Sequence, residues 1–263
     1  MLKSMVKRRI SQLVSLLLLH SSWWPQAQVK WLCTPVLSCH SCALAWFACP
    51  VGVFVHYSGY HLFPYLALGT VLMAGALLGR LFCGWVCPFG FVQDLLYKIP
   101  GPKFRLPAWT AWLKYVVLGA MVVLIPFALG AETWFSFCRI CPAAALQVSI
   151  PGLFKGSVHL ANPAVLARFG FLALFLGLAV VSRRSFCKAA CPIGALLAPL
   201  NYFSLWAIKR PTERCVDCHQ CDRLCTMQGS PSARVQAHIP ANRQPECTVC
   251  HECQQACPIA TRS

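Results

Sequence analysis

Three stretches of this chain are apolar almost without interruption, and a fourth is nearly so. Leu62 to Leu78, Tyr115 to Ala131 and Val165 to Val181 each approach the length needed to cross about 30 Å of hydrocarbon at about 1.5 Å per helical residue. Ile10 to Trp24 is shorter, follows Lys7-Arg8-Arg9 and ends in the Trp23-Trp24 pair. It reads as an uncleaved anchor; a signal peptide cut near Ala27 is the alternative. Proline and glycine punctuate the boundaries at Pro100-Gly101-Pro102 and Pro151-Gly152. The pattern predicts an all-α membrane protein with about four transmembrane helices over residues 1–205, and a separate C-terminal domain over 206–263.

Composition agrees with that division, since 57% of the residues are hydrophobic and 11% charged, with a mean hydropathy of +0.59. The net charge of +16 would suit a nucleic-acid partner, but its placement argues against one. Lys3, Lys7, Arg8 and Arg9 precede the first apolar stretch, Arg80, Lys98, Lys103 and Arg105 separate the second from the third, and ten more follow the last. The two intervening loops hold Lys30, Arg139 and Lys155. By the positive-inside rule both termini are cytoplasmic in a multi-pass protein of the inner membrane. Basic charge is then mainly a topology signal, with attraction of an acidic electron carrier as a secondary use.

The 18 cysteines change the picture most. Cys215, Cys218, Cys221 and Cys225 are spaced C-x2-C-x2-C-x3-C, and Cys247, Cys250, Cys253 and Cys257 repeat that spacing. This is the run by which a loop and a helical turn wrap a 4Fe-4S cluster, the fourth cysteine serving the other cluster of the pair. Cys215, Cys218, Cys221 and Cys257 are therefore expected to hold one cluster, and Cys247, Cys250, Cys253 and Cys225 the second. Pro258 follows the second run as usual, but Thr226 stands where the first run would have proline. Zinc or disulfides are the alternative, although zinc sites favour two separated C-x2-C pairs. His219 and His251 lie inside these loops and are expected to tune the clusters.

Ten cysteines remain, and the topology sorts them by membrane side. Arg80-Leu-Phe-Cys83-Gly-Trp-Val-Cys87-Pro88 and Arg184-Ser-Phe-Cys187-Lys-Ala-Ala-Cys191-Pro192 follow the second and fourth apolar stretches. Each is a C-x3-C-P after a basic residue and an aromatic, an internal duplication that brings four soft ligands to the inner membrane face. A further cluster there competes with packed small side chains or a redox dithiol. On the outer side Cys39, Cys42, Cys49, Cys138 and Cys141 offer five thiols for four places, with Cys33 as a sixth. Here a cluster competes with disulfides. One or two clusters beyond the C-terminal pair are thus expected. Clusters at both faces would provide what a current across the bilayer requires.

At these residues the chain resembles the NapH/NosR/YccM-type membrane ferredoxins. The likeness rests on Phe82-Cys83-Gly-Trp-Val-Cys87-Pro88, on Phe186-Cys187-Lys-Ala-Ala-Cys191-Pro192-Ile-Gly194, and on the paired runs that follow. It implies electron transfer, with membrane lipid, electron-transfer proteins and quinol or quinone as partners. The family includes quinol dehydrogenases feeding periplasmic reductases and accessory proteins that support maturation of exported metalloenzymes. The outer cysteine set departs from the NapH-like pattern. No catalytic residue is assigned. Gln93, Asp94 and Glu132 are expected on solvated helix faces. His40, His56, His61 and His159 fall in the outer loops and read as interfacial polar residues, with no C-x-x-C-H for haem.

Overall fold

A computed structural model describes residues 2–19, 49–156, 158–159, 162–208 and 215–258, and the described residues are helical or irregular, without strands. The first helix is α1 (Leu2–Leu19). Next come α2 (Pro50–Gly59), α3 (Tyr65–Leu78), α4 (Leu81–Trp85) and α5 (Pro88–Leu96). The long α6 (Thr110–Leu129), short α7 (Phe137–Ile140), α8 (Pro142–Phe154) and long α9 (Pro163–Val181) follow. Then come α10 (Ser185–Ala189), α11 (Pro192–Leu197), α12 (Gln220–Leu224), α13 (Pro231–Gln236) and α14 (Glu252–Ala256).

Among these, α6 and α9 are long and apolar enough to cross a membrane. Pro163 starts α9 where its missing N–H costs nothing, and the Asn162 side chain accepts from the Ala164 N–H at 3.0 Å. In α6 the turns over Val117–Leu124 widen to π geometry just ahead of Pro126. The ring of that proline would clash with the carbonyl four residues earlier, and the wider turns make room for it. The same pairing recurs in α8, where Ala145–Ser149 is π-helical ahead of Pro151. Gly130, at φ 86°, ends α6.

The other two expected spans differ from the sequence reading. Pro64 delays the second, so α3 is a 14-residue helix, about 21 Å long at the usual rise. The first begins earlier than expected and its residues past Leu19 lie outside the described set. Along α1 the buried side chains are polar, Arg8, Gln12 and Ser15, while Ile10, Leu13, Val14 and Leu17 are exposed. Its inner stripe meets α4 and α5. Gln12 donates to the Gly84 carbonyl at 2.8 Å and Ser15 to the Val86 carbonyl at 2.5 Å. Two of the carbonyls at the end of a five-residue helix are thereby satisfied.

One core runs through the helices. Val51, Phe54, Val71, Phe89, Val122, Phe137, Leu172, Phe186 and Leu197 pack there with the buried Cys83, Cys87, Cys141 and Cys191. Phe186 takes Phe89 and Phe175 edge-on, both with centroids 4.9 Å away. The last segment, with α12 packed on α13 and α14, sits on this body. Asn201 fastens it, its side chain donating to the carbonyls of Gln244 and Cys247 at 3.1 and 2.6 Å and accepting from the Arg80 N–H at 2.9 Å.

Candidate metal centres

Each C-terminal cysteine run opens a short helix, and the loop ahead of that helix carries left-handed residues at matched places. Asp217 and His219 have φ of 53° and 52°, and Val249 and His251 have 50° and 60°. Valine is a poor occupant of this region, because its branched Cβ crowds the backbone. Alternating hands turn successive N–H groups toward one concavity, the backbone geometry that accepts anions and iron-sulfur centres. Two cavities result. One, of about 50 Å³, is lined by Cys215, Cys218, Cys221 and Cys257, with Cys253, Pro231 and Pro258 on its wall. The other, of about 20 Å³, is lined by Cys225, Cys247, Cys250 and Cys253, with Thr226, Met227 and Thr248. Each cavity thus gathers three cysteines of one run and the last of the other, with Cys253 bordering both.

The sulfurs of the second cavity have donors aimed at them. The Gly229 N–H reaches Cys225 Sγ at 3.3 Å, the Val249 N–H reaches Cys247 Sγ at 3.4 Å, and the Thr226 hydroxyl lies 3.4 Å from Cys250 Sγ. Such contacts favour the thiolate that a metal needs. Among the described residues no three His, Cys, Asp or Glu side chains converge on a single-ion site. The cysteines line the cavity walls, so the donor set there is all sulfur.

The four inner cysteines are all buried. Cys83 lies in α4 and Cys187 in α10, while Cys87 and Cys191 sit at the starts of α5 and α11, each before a proline. The two repeats cross over. An added Cβ on Gly194 would lie 2.9 Å from Arg80 Nη2, and one on Gly90 would lie 3.5 Å from Arg184 Nη2. Each arginine therefore reaches the other repeat's glycine. Gln93 joins them too, donating to Cys187 Sγ at 3.2 Å and accepting from the Phe186 N–H at 3.1 Å. Burial and the neighbouring Cys187 and Cys83 push the Cys87 thiol up to about 12, and burial with Cys187 and Cys83 raises Cys191 as well. Buried thiolates held this close together need positive charge beside them.

That charge is already present. Arg8, Arg80, Lys114, Arg184 and Lys188 are buried, and among the described residues the carboxylates that meet them are the buried Asp94 and Glu252 and the partly exposed Glu246. Arg184 grips Asp94 with two bonds, at 3.0 and 2.8 Å, and Arg8 reaches the same carboxylate at 2.6 Å. Burial raises the Asp94 carboxyl, but the charges and hydrogen bonds of Arg184 and then Arg8 outweigh it and hold the group at about 2. Arg8 also pairs with Glu252, which Arg183 meets at 3.1 Å. Arg80 Nε and Ser185 Oγ are buried without a hydrogen-bond partner among the described residues. A surplus of buried cations beside buried sulfur fits an anionic cluster, and thiolate-bound cubanes are anionic.

The expected solvated face at Gln93 and Asp94 is thus corrected, since they are 0% and 3% exposed. The reason is the distant Arg8 and Arg184, which no local pattern revealed. Glu132 is exposed and pairs with Arg139 at 2.5 Å. Of the outer set, Cys49 starts α2, Cys138 lies in α7 and Cys141 starts α8. Helices α2 and α7 touch. Cys39, Cys42 and Cys33 lie outside the described residues. The clamp arginines had one signal in sequence, since Arg80 and Arg184 each stand three residues before the first cysteine of a repeat.

The 4Fe-4S binding domain family matches residues 60–107 and 163–211, which are the two C-x3-C-P repeats with the helices before them. The putative electron transport protein YccM of Escherichia coli K12 is 26% identical over 211 residues, 76% of this chain and 55% of that protein. The regulatory protein NosR of Pseudomonas aeruginosa is 32% identical over 188 residues, 65% of this chain and 24% of that protein. Together these matches support a likeness to the NosR/YccM-type membrane ferredoxins. An uncharacterized protein of Methanocaldococcus jannaschii is 30% identical over 171 residues, 61% of this chain and 64% of that protein. The chain thus spans less than two thirds of each of these relatives. No solved structure matches it. The matches support an iron-sulfur electron-transfer protein family.

Proposed function

We propose that the chain relays single electrons across the inner membrane, between a membrane quinol or cytoplasmic carrier and a redox partner beyond the outer face. In this reading residues 1–205 form the membrane part, with α1, α3, α6 and α9 as its apolar elements and both termini cytoplasmic. Residues 206–263 form the ferredoxin module. Cys215, Cys218, Cys221 and Cys257 hold one cubane, and Cys225, Cys247, Cys250 and Cys253 hold another. Cys83, Cys87, Cys187 and Cys191 hold a third at the inner face. Four of Cys39, Cys42, Cys49, Cys138 and Cys141 serve a centre at the outer face. A bound cubane supplies one-electron exchange with little rearrangement.

The observation that carries the relay is the docking of the ferredoxin module on the inner cysteines. Trp85, between Cys83 and Cys87, donates to the Val249 carbonyl at 3.0 Å. A methyl group on Gly84 would overlap the Thr248 carbonyl oxygen. Thr248 and Val249 stand between Cys247 and Cys250, so the walls of the two sites share backbone contact. Arg184 completes the seam, donating to the Cys83 carbonyl at 3.1 Å while reaching Thr248 Oγ1 at 3.5 Å. These residues fix separation and exclude water, which are the protein's part in an electron hop.

Iron and sulfide quantification on anaerobically purified protein, with EPR of the reduced sample, tests the proposal. About twelve to sixteen irons per chain are expected, at four per cubane. About eight would confine the clusters to the C-terminal runs and overturn the membrane relay.

A further inference from the structure

The two C-terminal cavities have the same cysteine plan but different surroundings. The residue after the crossing cysteine lines each cavity, Pro258 in one and Thr226 in the other. Proline has no N–H to give. Thr226 has a hydroxyl, is 1% exposed, and lies 3.4 Å from Cys250 Sγ. A thiolate bound to iron accepts but does not donate, so in the loaded protein the threonine is the donor.

Around the same cavity the backbone donates to Cys225 and Cys247, and the guanidinium of Arg184 reaches Thr248. Around the other cavity the near groups are Asp217 and Asp222, with His219, which also lines the cavity, paired to them at 3.1 and 3.0 Å. Cys221 Sγ lies 3.9 Å from Asp222 Oδ1. Asp222 is fixed there by Ser232, whose N–H and hydroxyl donate to it at 3.0 and 2.5 Å. Asp217 is exposed beside Cys218. Donors and cations stabilise the extra negative charge of the reduced state, and carboxylates oppose it. Burial works the other way, because low polarity disfavours added charge. Cys250 is buried and Cys218 exposed, yet the buried site has the donors and cations that offset this cost.

We infer that Thr226 acts as a potential-setting residue, making the Cys225/Cys247/Cys250/Cys253 site the better electron acceptor of the two. Electrons then enter at the exposed Cys215/Cys218/Cys221/Cys257 site and leave toward the inner membrane face. This rests on the reading that both runs hold cubanes. The donor is a small cytoplasmic one-electron carrier protein. It loses one electron, the exposed site gains it and passes it to the buried one, and no bond is made or broken.

An EPR-monitored redox titration of the full chain, purified without oxygen, tests the direction. The wild type is expected to show two C-terminal centres of unequal potential. Thr226→Val, which keeps the shape and removes the hydroxyl, lowers the higher potential and leaves the lower unchanged. Thr226→Ser, which keeps the donor, holds the wild-type value. Asp222→Asn raises the lower potential alone. The inference is overturned if Thr226→Val leaves both potentials in place at full iron content, if Thr226→Ser shifts as Val does, or if the centre sensitive to Thr226 is the lower one. A wild type with no pair of C-terminal cubane signals instead overturns the reading beneath it.

Discussion

The two C-x3-C-P repeats begin alike and end differently. Arg80, Phe82, Cys83, Cys87, Pro88 and Gly90 recur in register as Arg184, Phe186, Cys187, Cys191, Pro192 and Gly194. In the first repeat the position after Gln93 is Asp94, which receives Arg184 from the second. In the second repeat the matching position is Ala198, so Arg80 has no carboxylate at that place. It turns to the ferredoxin module, donating to the Pro245 carbonyl at 2.7 Å and meeting Glu246 at 3.3 Å. The repeats diverge again at Gly84 and Lys188. Gly84 lets Thr248 approach, whereas Lys188 extends to the Leu106 carbonyl at 2.9 Å. The comparison teaches that one half of the inner site closes on itself and the other half is completed by the ferredoxin module.

Substitutions that erase this difference should have graded effects. Asp94→Asn leaves Arg8 and Arg184 buried beside a neutral amide, and removing one partner of a buried pair costs about 3–5 kcal/mol. The thermal midpoint in detergent should fall accordingly, with loss of the contacts that fix α1. Glu246 is less enclosed, with 17% of its side chain exposed, and holds Arg80 and Lys114. Glu246→Gln should cost about 1–3 kcal/mol, the range for a buried group left without its partner. It should also loosen the ferredoxin module, seen as faster amide exchange over 245–250.

The smallest effect separates the two glycines. Gly194→Ala forces Arg80 to move and should cost about 1 kcal/mol or more, whereas Gly90→Ala meets the Cys83 carbonyl at 3.3 Å and Arg184 at 3.5 Å and should cost less. Equal losses in thermal midpoint would contradict the crossed arrangement of the arginines.

Much of this was legible in the chain. The spacing of the C-terminal cysteines and the duplication around Cys83 and Cys187 depend on short-range pattern, and so does the apolar run of α9. Other features depended on residues far apart in sequence. Asp94 looked like a solvated residue because its partners, Arg8 and Arg184, come from a helix before it and a turn well after it. Thr226 was visible as a departure from proline, but its role needed the neighbouring loop that brings Cys250 within reach. The inner stripe of α1 escaped notice because its apolar face points outward while Arg8, Gln12 and Ser15 meet protein. Helix α3 shortened for a local reason that Pro64 did carry.

The central claim is that the crossed repeats hold a metal centre against which the ferredoxin module docks. Iron and sulfide content of the Cys87→Ala/Cys191→Ala double variant, compared with the wild type under anaerobic purification, addresses it most directly. The variant should lose about four irons per chain while keeping the EPR signals of the C-terminal pair. Unchanged iron in a folded variant would contradict the claim.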